Sequence, residues 1–76
     1  MRIAIVGAGA IGGYLGTRLA AAGEEVTFIA RGANFAAIRS RGMKLILEDG
    51  AEVHASGARA CENISEAGPQ DVVLLT

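Results

Sequence analysis

Apolar residues along this chain come in short unbroken runs set apart by glycines, with little of the two-residue alternation of a half-exposed strand. Ile3-Ala4-Ile5-Val6, Val26 to Ile29 and Asp71-Val72-Val73-Leu74-Leu75-Thr76 are such runs. Their continuity predicts parallel strands buried on both faces. Between the first two, Ile11, Leu15, Leu19 and Ala22 recur at helical spacing, which predicts a helix from Ala10 to Ala22 with those residues facing the sheet and Gly23 closing it. Asn34 to Arg41 carries Phe35 and Ile38 at the same spacing and stops at Gly42, a second and shorter helix. Met43 to Leu47 and Glu52 to Ala55 read as strands joined by the hairpin signal Glu48-Asp49-Gly50. Ser56 to Gln70 is small and polar, with one helical turn expected near Ile64. All the strands are expected in one sheet, and the class is α/β.

The junction between the first strand and the first helix carries the chemistry. It reads Gly7-Ala8-Gly9-Ala10-Ile11-Gly12, a G-x-G-x-x-G spacing. Gly7 lets the backbone turn sharply, Gly9 removes a Cβ where a pyrophosphate would approach, and Gly12 lets the helix lie against the strand. The helix N-terminus then offers unpaired amides and the positive end of its dipole to phosphate. A glycine spacing alone is weak, but here a strand precedes it, a closed helix follows and a second strand begins on schedule. Gly13 and Gly16 each cost a helix interior about 1 kcal/mol against Ala, which points to tight packing or close approach of a ligand. The pattern predicts a partial Rossmann fold with a β-hairpin extension, and Gly7, Ala8, Gly9, Ala10, Ile11 and Gly12 as the cradle for a dinucleotide.

Arg31 sets which dinucleotide. An acid at the end of the second strand would accept hydrogen bonds from both ribose hydroxyls of NAD. Here Ala30-Arg31 stands at that corner, and Glu24 and Glu25 come before the strand, at its opposite end. A guanidinium accepts nothing but pairs well with a 2′-phosphate, so NADP is the expected cofactor.

Composition narrows the picture further. The chain has 76 residues, 51% of them hydrophobic and 20% charged, with net charge −1. It is therefore one small globular unit, able to bury roughly 60% of its unfolded surface. No basic field calls for nucleic acid and no polybasic patch for a membrane surface. The apolar runs are too short to span a bilayer, and Met1-Arg2 leads directly into a strand, so no signal peptide is expected. Single Cys61 excludes an internal disulfide and accords with a reducing cytoplasm. His54, Cys61, Tyr14 and the Arg39-Ser40-Arg41 stretch are assigned bland roles: hairpin surface, packing, packing and a solvated helix end. No catalytic set and no metal-ligand spacing is present.

A complete dinucleotide domain needs a second βαβ half. With no crossover helix after Thr76, residues 1–76 are expected to be the N-terminal half of such a domain, with the second half and any helical domain missing. The last strand then has an uncovered edge, and self-association of the isolated piece is expected.

In Met1-Arg2-Ile3-Ala4-Ile5-Val6-Gly7-Ala8-Gly9-Ala10-Ile11-Gly12-Gly13, Ala30-Arg31-Gly32, Gly42-Met43-Lys44-Leu45 and Asp71 to Thr76, the chain resembles the N-terminal segment of the ketopantoate (2-dehydropantoate 2-) reductases over essentially its whole length. The resemblance implies a cytoplasmic oxidoreductase that uses NADPH to reduce a 2-oxo acid, 2-dehydropantoate to pantoate, in pantothenate biosynthesis. It implies a pyrophosphate site at the glycine loop, a 2′-phosphate contact at Arg31, and catalytic residues beyond Thr76, so the 76 residues alone would be inactive. Two other readings compete: a dinucleotide-sensing regulatory domain without chemistry, whose second strand usually ends in an acid, and another NADP-linked hydroxyacid or coenzyme-F420-linked reductase.

Overall fold

The computed structural model describes residues 1–55 and 57–76; Ser56, the first residue of the segment read as irregular, lies outside them. The apolar runs form strands where expected: β1 (Arg2–Val6), β2 (Glu25–Ile29) and β6 (Val72–Leu75). Helix α1 (Ala10–Ala21) links the first two, and α2 (Gly32–Arg41) follows the second. Lys44–Ile46 (β3) and Glu52–His54 (β4) make the antiparallel hairpin. Arg59–Cys61 is a further strand, β5, and Ile64–Ala67 a short helix, α3. The segment from 57 to 70 is thus more regular than its composition implies. Three residues of β5 carry no apolar run; their register against Thr27, Phe28 and Ile29 of β2 makes them a strand.

The main sheet has the order β5-β2-β1-β6, all parallel. From β1 the chain steps to β2 and β5 on one side, then crosses to β6 on the other. The hairpin does not extend this sheet: it is a separate two-stranded sheet lying against α1. Alternation explains how it is held, with Leu45 and Val53 half-buried while Lys44, Ile46, Glu52 and His54 face outward.

One face of the main sheet carries Ile3 and Ile5 of β1, Val26 and Phe28 of β2 and Ala60 of β5, with Ala20, Ile38 and Ala55 packed over them. On the opposite face, Ile29, Cys61 and Val6 pack against Ala67 of α3. Cys61 is buried there as a small packing residue, as expected. Cover over that face is thin at β6, where Val73 and Leu75 are 44% and 81% exposed. β6 is therefore parallel but an edge strand, not the buried one its unbroken apolar run predicts. Its start is fastened to β1, because the Arg2 N–H donates to Asp71 Oδ2 at 2.7 Å and the Asp71 N–H to Arg2 O at 2.8 Å. The Arg2 side chain is tied too, donating to Ala67 O at 3.2 Å where only solvent was expected. At the same end the Met1 ammonium donates to Glu24 Oε1 at 2.9 Å, and this hydrogen bond raises its pKa above the ordinary value.

The face that α1 turns to the sheet differs from expectation. Ile11 is 70% exposed, and Tyr14, Leu15 and Ala22 also point outward, whereas Gly12, Gly13, Gly16, Thr17 and Ala20 are buried. The cause is distance. A Cβ on Gly16 would sit 2.3 Å from Phe28 Cε1 and 3.2 Å from Ile5 Cγ1, and one on Gly13 would sit 2.8 Å from Met43 Cε. At Gly12 and Gly16 the helix comes so close to the strand side that no large side chain fits between, so Ile11, Tyr14 and Leu15 take the outer face, while Leu19, nearer the end of the helix, packs half-buried against the core as expected.

Gly16→Ala in the full chain should consequently lower the thermal midpoint. The added methyl overpacks against Phe28 at a cost of about 1–3 kcal/mol, which outweighs the gain of about 1 kcal/mol in helix propensity. A raised midpoint in a calorimetric melt would show that the helix can move off the strand freely.

Candidate functional site

The β1–α1 loop lies beyond the carboxyl ends of β1 and β6, where the strand order reverses. In open α/β sheets this switch point is where loops diverge and leave a crevice. Two adjoining hollows occupy it. The larger, about 610 Å³, runs from Gly7 and Ala8 past Ala30, Arg31 and Asn34 to Glu62, Asn63 and Ile64, with Val73 and Leu75 at its edge. The smaller, about 340 Å³, is lined by Gly7, Gly9, Ala10, Ile11, Gly12 and Thr76. All seven residues singled out in the sequence therefore meet at one crevice.

Its smaller end is built largely from backbone. Gly7 has φ +92°, a left-handed conformation that turns the chain out of β1, and its N–H donates to Ile29 O at 3.0 Å, which ties the turn to β2. A Cβ on Gly12 would lie 2.0 Å from Gly7 O, so only glycine lets the first helical turn close over the strand end. Gly9 differs: nothing lies within 4 Å of where its Cβ would be, and its φ is −76°. The protein itself does not demand glycine there, and the open space faces the hollow.

Gly9 caps α1 without a side-chain hydrogen bond, and no acid stands in the first turn. The first intrahelical bond is Gly13 N–H to Gly9 O, at 2.7 Å. The N–H groups of Ala10, Ile11 and Gly12 thus have no acceptor within the helix, and they present a partial positive charge at the crevice. Such an array can hold an anion of two negative phosphates. The residues fit a dinucleotide's pyrophosphate on these grounds: free donors, no acid in the first turn of α1, and space at Gly9.

Arg31 is the N-cap of α2, with extended backbone, and is exposed. Gly32, at φ +58°, provides the left-handed step that starts the helix directly behind it. Among the described residues Arg31 makes no ion pair, so its guanidinium is available to the hollow it borders. Asn34, one turn further, donates from Nδ2 to Ala8 O at 3.4 Å and links α2 to the glycine loop. Asn34, Glu62, Asn63 and Thr76 were not singled out from the sequence; strand order brings the end of β5 beside β2 and that of β6 beside β1, and α2 carries Asn34 to the glycine loop. Asn63 is itself committed to α3, in a capping box with Glu66.

The bland assignments hold for His54, exposed on the hairpin 3.2 Å from Glu52 Oε1, and for Arg39 and Arg41, exposed at the end of α2. Tyr14 does not pack inward: it is 48% exposed, because the close approach at Gly13 and Gly16 turns its side of α1 outward. Among the described residues no group of three or more His, Cys, Asp or Glu could hold a metal, and no helix is long and apolar enough to cross a membrane.

Comparison with known proteins places these features in context. The family model described as Ketopantoate reductase PanE/ApbA matches residues 3–76. The 2-dehydropantoate 2-reductase of Mesorhizobium japonicum is 50% identical over 76 residues, spanning 99% of this chain and 23% of the relative. That of Pyrococcus horikoshii is 40% identical, spanning 100% of this chain and 24% of the relative. A crystal structure of a candidate ketopantoate reductase from Ralstonia solanacearum MolK2 superposes with a TM-score of 0.85 at 51% identity, covering 97% of this chain and 22% of that one. The chain spans about a quarter of the length of the curated relatives it matches.

Proposed function

The chain belongs to the ketopantoate reductase family, and we propose that it forms the cofactor half-site of a protein that reduces a 2-oxo acid, 2-dehydropantoate, with NADPH. The observation that supports this most is the crevice at the strand-order reversal, where three helix amides and an arginine without partners among the described residues stand at its two ends. The substrate comes from the relatives, both named for 2-dehydropantoate reduction. The reading extends to residues 1–76 as the N-terminal half of a dinucleotide domain, with the reacting groups supplied by the rest of the protein.

In this reading the amides of Ala10, Ile11 and Gly12 hold the pyrophosphate, and Gly9 leaves room for it. Arg31 pairs with the 2′-phosphate by charge-assisted hydrogen bonds, each worth about 1.5–3 kcal/mol. Ala30 and Arg31 supply no acceptor for ribose hydroxyls, which is also what sets this corner apart from that of an NAD-sensing domain. Bound here, NADPH would supply the hydride for the 2-oxo carbon. The chain's own part is to hold and orient; no residue of this segment need exchange a proton.

Cofactor preference should follow Arg31. In the full chain, Arg31→Ala should weaken NADPH binding by tenfold or more, about what the loss of one charge-assisted bond costs, and leave NADH nearly unchanged. Equal losses for both in calorimetric titration would exclude the 2′-phosphate contact.

Gly9→Val should separate binding from folding. A Cβ at this position has no neighbour within 4 Å and the φ is ordinary, so circular dichroism and thermal midpoint should stay near wild type. The branched side chain would fill the phosphate path and abolish dinucleotide binding. Retained binding would place the pyrophosphate elsewhere.

A further inference from the structure

Thr76 follows β6 and reaches across to the glycine loop. Its N–H donates to Val6 O at 2.9 Å, continuing the ladder between β6 and β1. Its hydroxyl lies 2.6 Å from Gly7 O and 3.0 Å from Val6 O. One hydroxyl proton serves one carbonyl at a time. Val6 O already accepts the Thr76 amide, whereas Gly7 O has no other hydrogen-bond partner among the described residues, so the shorter contact takes the proton. The hydroxyl also stands 2.6 Å from where a Cβ on Gly12 would be and 3.2 Å from where one on Gly7 would be. It fills the space that these two glycines leave open.

We infer that Thr76 is a positioning residue for the phosphate loop, holding the Gly7 carbonyl and thereby setting the direction of the Ala8 N–H. The inference rests on the dinucleotide reading given above. Gly7 and Ala8 share a trans peptide, in which the C=O and N–H point in opposite directions. Fixing Gly7 O against Thr76 and the Gly12 backbone therefore fixes the Ala8 N–H away from them. That N–H has no acceptor among the described residues, and Ala8 borders the larger hollow. A glycine peptide adjoining a left-handed turn rotates easily, because no Cβ restrains it. The Thr76 hydroxyl restrains it from outside, at the strand end that bounds the switch point. The pyrophosphate then meets a fourth, pre-aimed donor beside Ala10, Ile11 and Gly12. Because both NADPH and NADH carry the pyrophosphate, the effect of Thr76 is blind to the 2′-phosphate, unlike that of Arg31.

The test compares Thr76→Val, Thr76→Ser and Thr76→Ala in the full chain, by calorimetric titration with NADPH and NADH and by thermal melts. Thr76→Val keeps the shape and removes the hydroxyl; it should raise both dissociation constants by the same factor, on the order of tenfold for one lost hydrogen bond. Thr76→Ser should restore both to within about twofold, since it keeps the donor. Wild-type affinity in Thr76→Val, or Thr76→Ser binding as weakly as Thr76→Val, would overturn the inference. A loss confined to NADPH would overturn it too. Should Thr76→Val not fold, the Ser and Ala variants decide: Ser near wild type with Ala weakened supports the role, and equal binding by the two overturns it. Wild-type protein that binds neither dinucleotide overturns the underlying reading, whereas wild-type binding with an unaffected Thr76→Val overturns this inference alone.

Discussion

Helix α1 can lie as close to the strands as it does only because glycines stand at its points of nearest approach. Gly16 meets Phe28 and Ile5, and Gly12 meets the Gly7 carbonyl, at separations where any Cβ would collide. That constraint sets the height of the helix over the sheet and, with it, where its first turn ends. Were α1 held off by leucines at the usual spacing, its free amides would no longer stand over the end of β1. Gly13 carries the same logic to the hairpin, since Met43, just before β3, packs where its Cβ would be and the hairpin docks against α1. The close packing of residues 12 to 20 is thus one cause with two results, a core and a helix end whose first amides open on the crevice.

Strand order supplies the rest. Because β6 lies on the far side of β1 from β2, the strand order reverses at β1, and the crevice opens beyond the carboxyl ends of these strands. Ile29-Ala30-Arg31 and Glu62-Asn63 bound one side of it, and Thr76 the other. Backbone groups of the glycine loop line one end of the crevice, and the side chains of Arg31, Asn34 and Glu62 border the other. This division is physical: a dipole-bearing helix end suits any pyrophosphate, whereas discrimination at the ribose needs a charge at one point. The exposed Val73 and Leu75 lie on the same face as Ala4 and Val6, as their register with those residues requires.

The parts of this arrangement legible in the sequence were those with a local signature. The strand ending at Val6, the turn at Gly7, the helix closing at Gly23 and the hairpin at Glu48-Asp49-Gly50 each have a periodicity or a turn residue of their own. The inward face of α1 was not legible, because hydrophobic periodicity assumes that large apolar side chains seek the core. Where glycines bring two backbones together, Ile11 and Leu15 are excluded from the contact and the rule inverts. β5 was invisible for a different reason: Arg59-Ala60-Cys61 becomes a strand through its partner β2, not through its own composition. The hairpin's strands announced their pairing but not their docking, since alternation shows which residues are buried and not what buries them. The same limit applies to Asn34, Glu62 and Thr76, which reach the site through topology.

The central claim is that the backbone amides at the start of α1 receive a dinucleotide's pyrophosphate while Arg31 receives its 2′-phosphate. Amide and guanidinium nitrogen chemical shifts of the isotope-labelled full chain, followed during titration with NADPH and then NADH, test it most directly. The Gly9 to Gly12 amides should shift strongly with both cofactors, and the Arg31 Nε resonance with NADPH alone. Unmoved amides across Gly9 to Gly12 at saturating NADPH would contradict it.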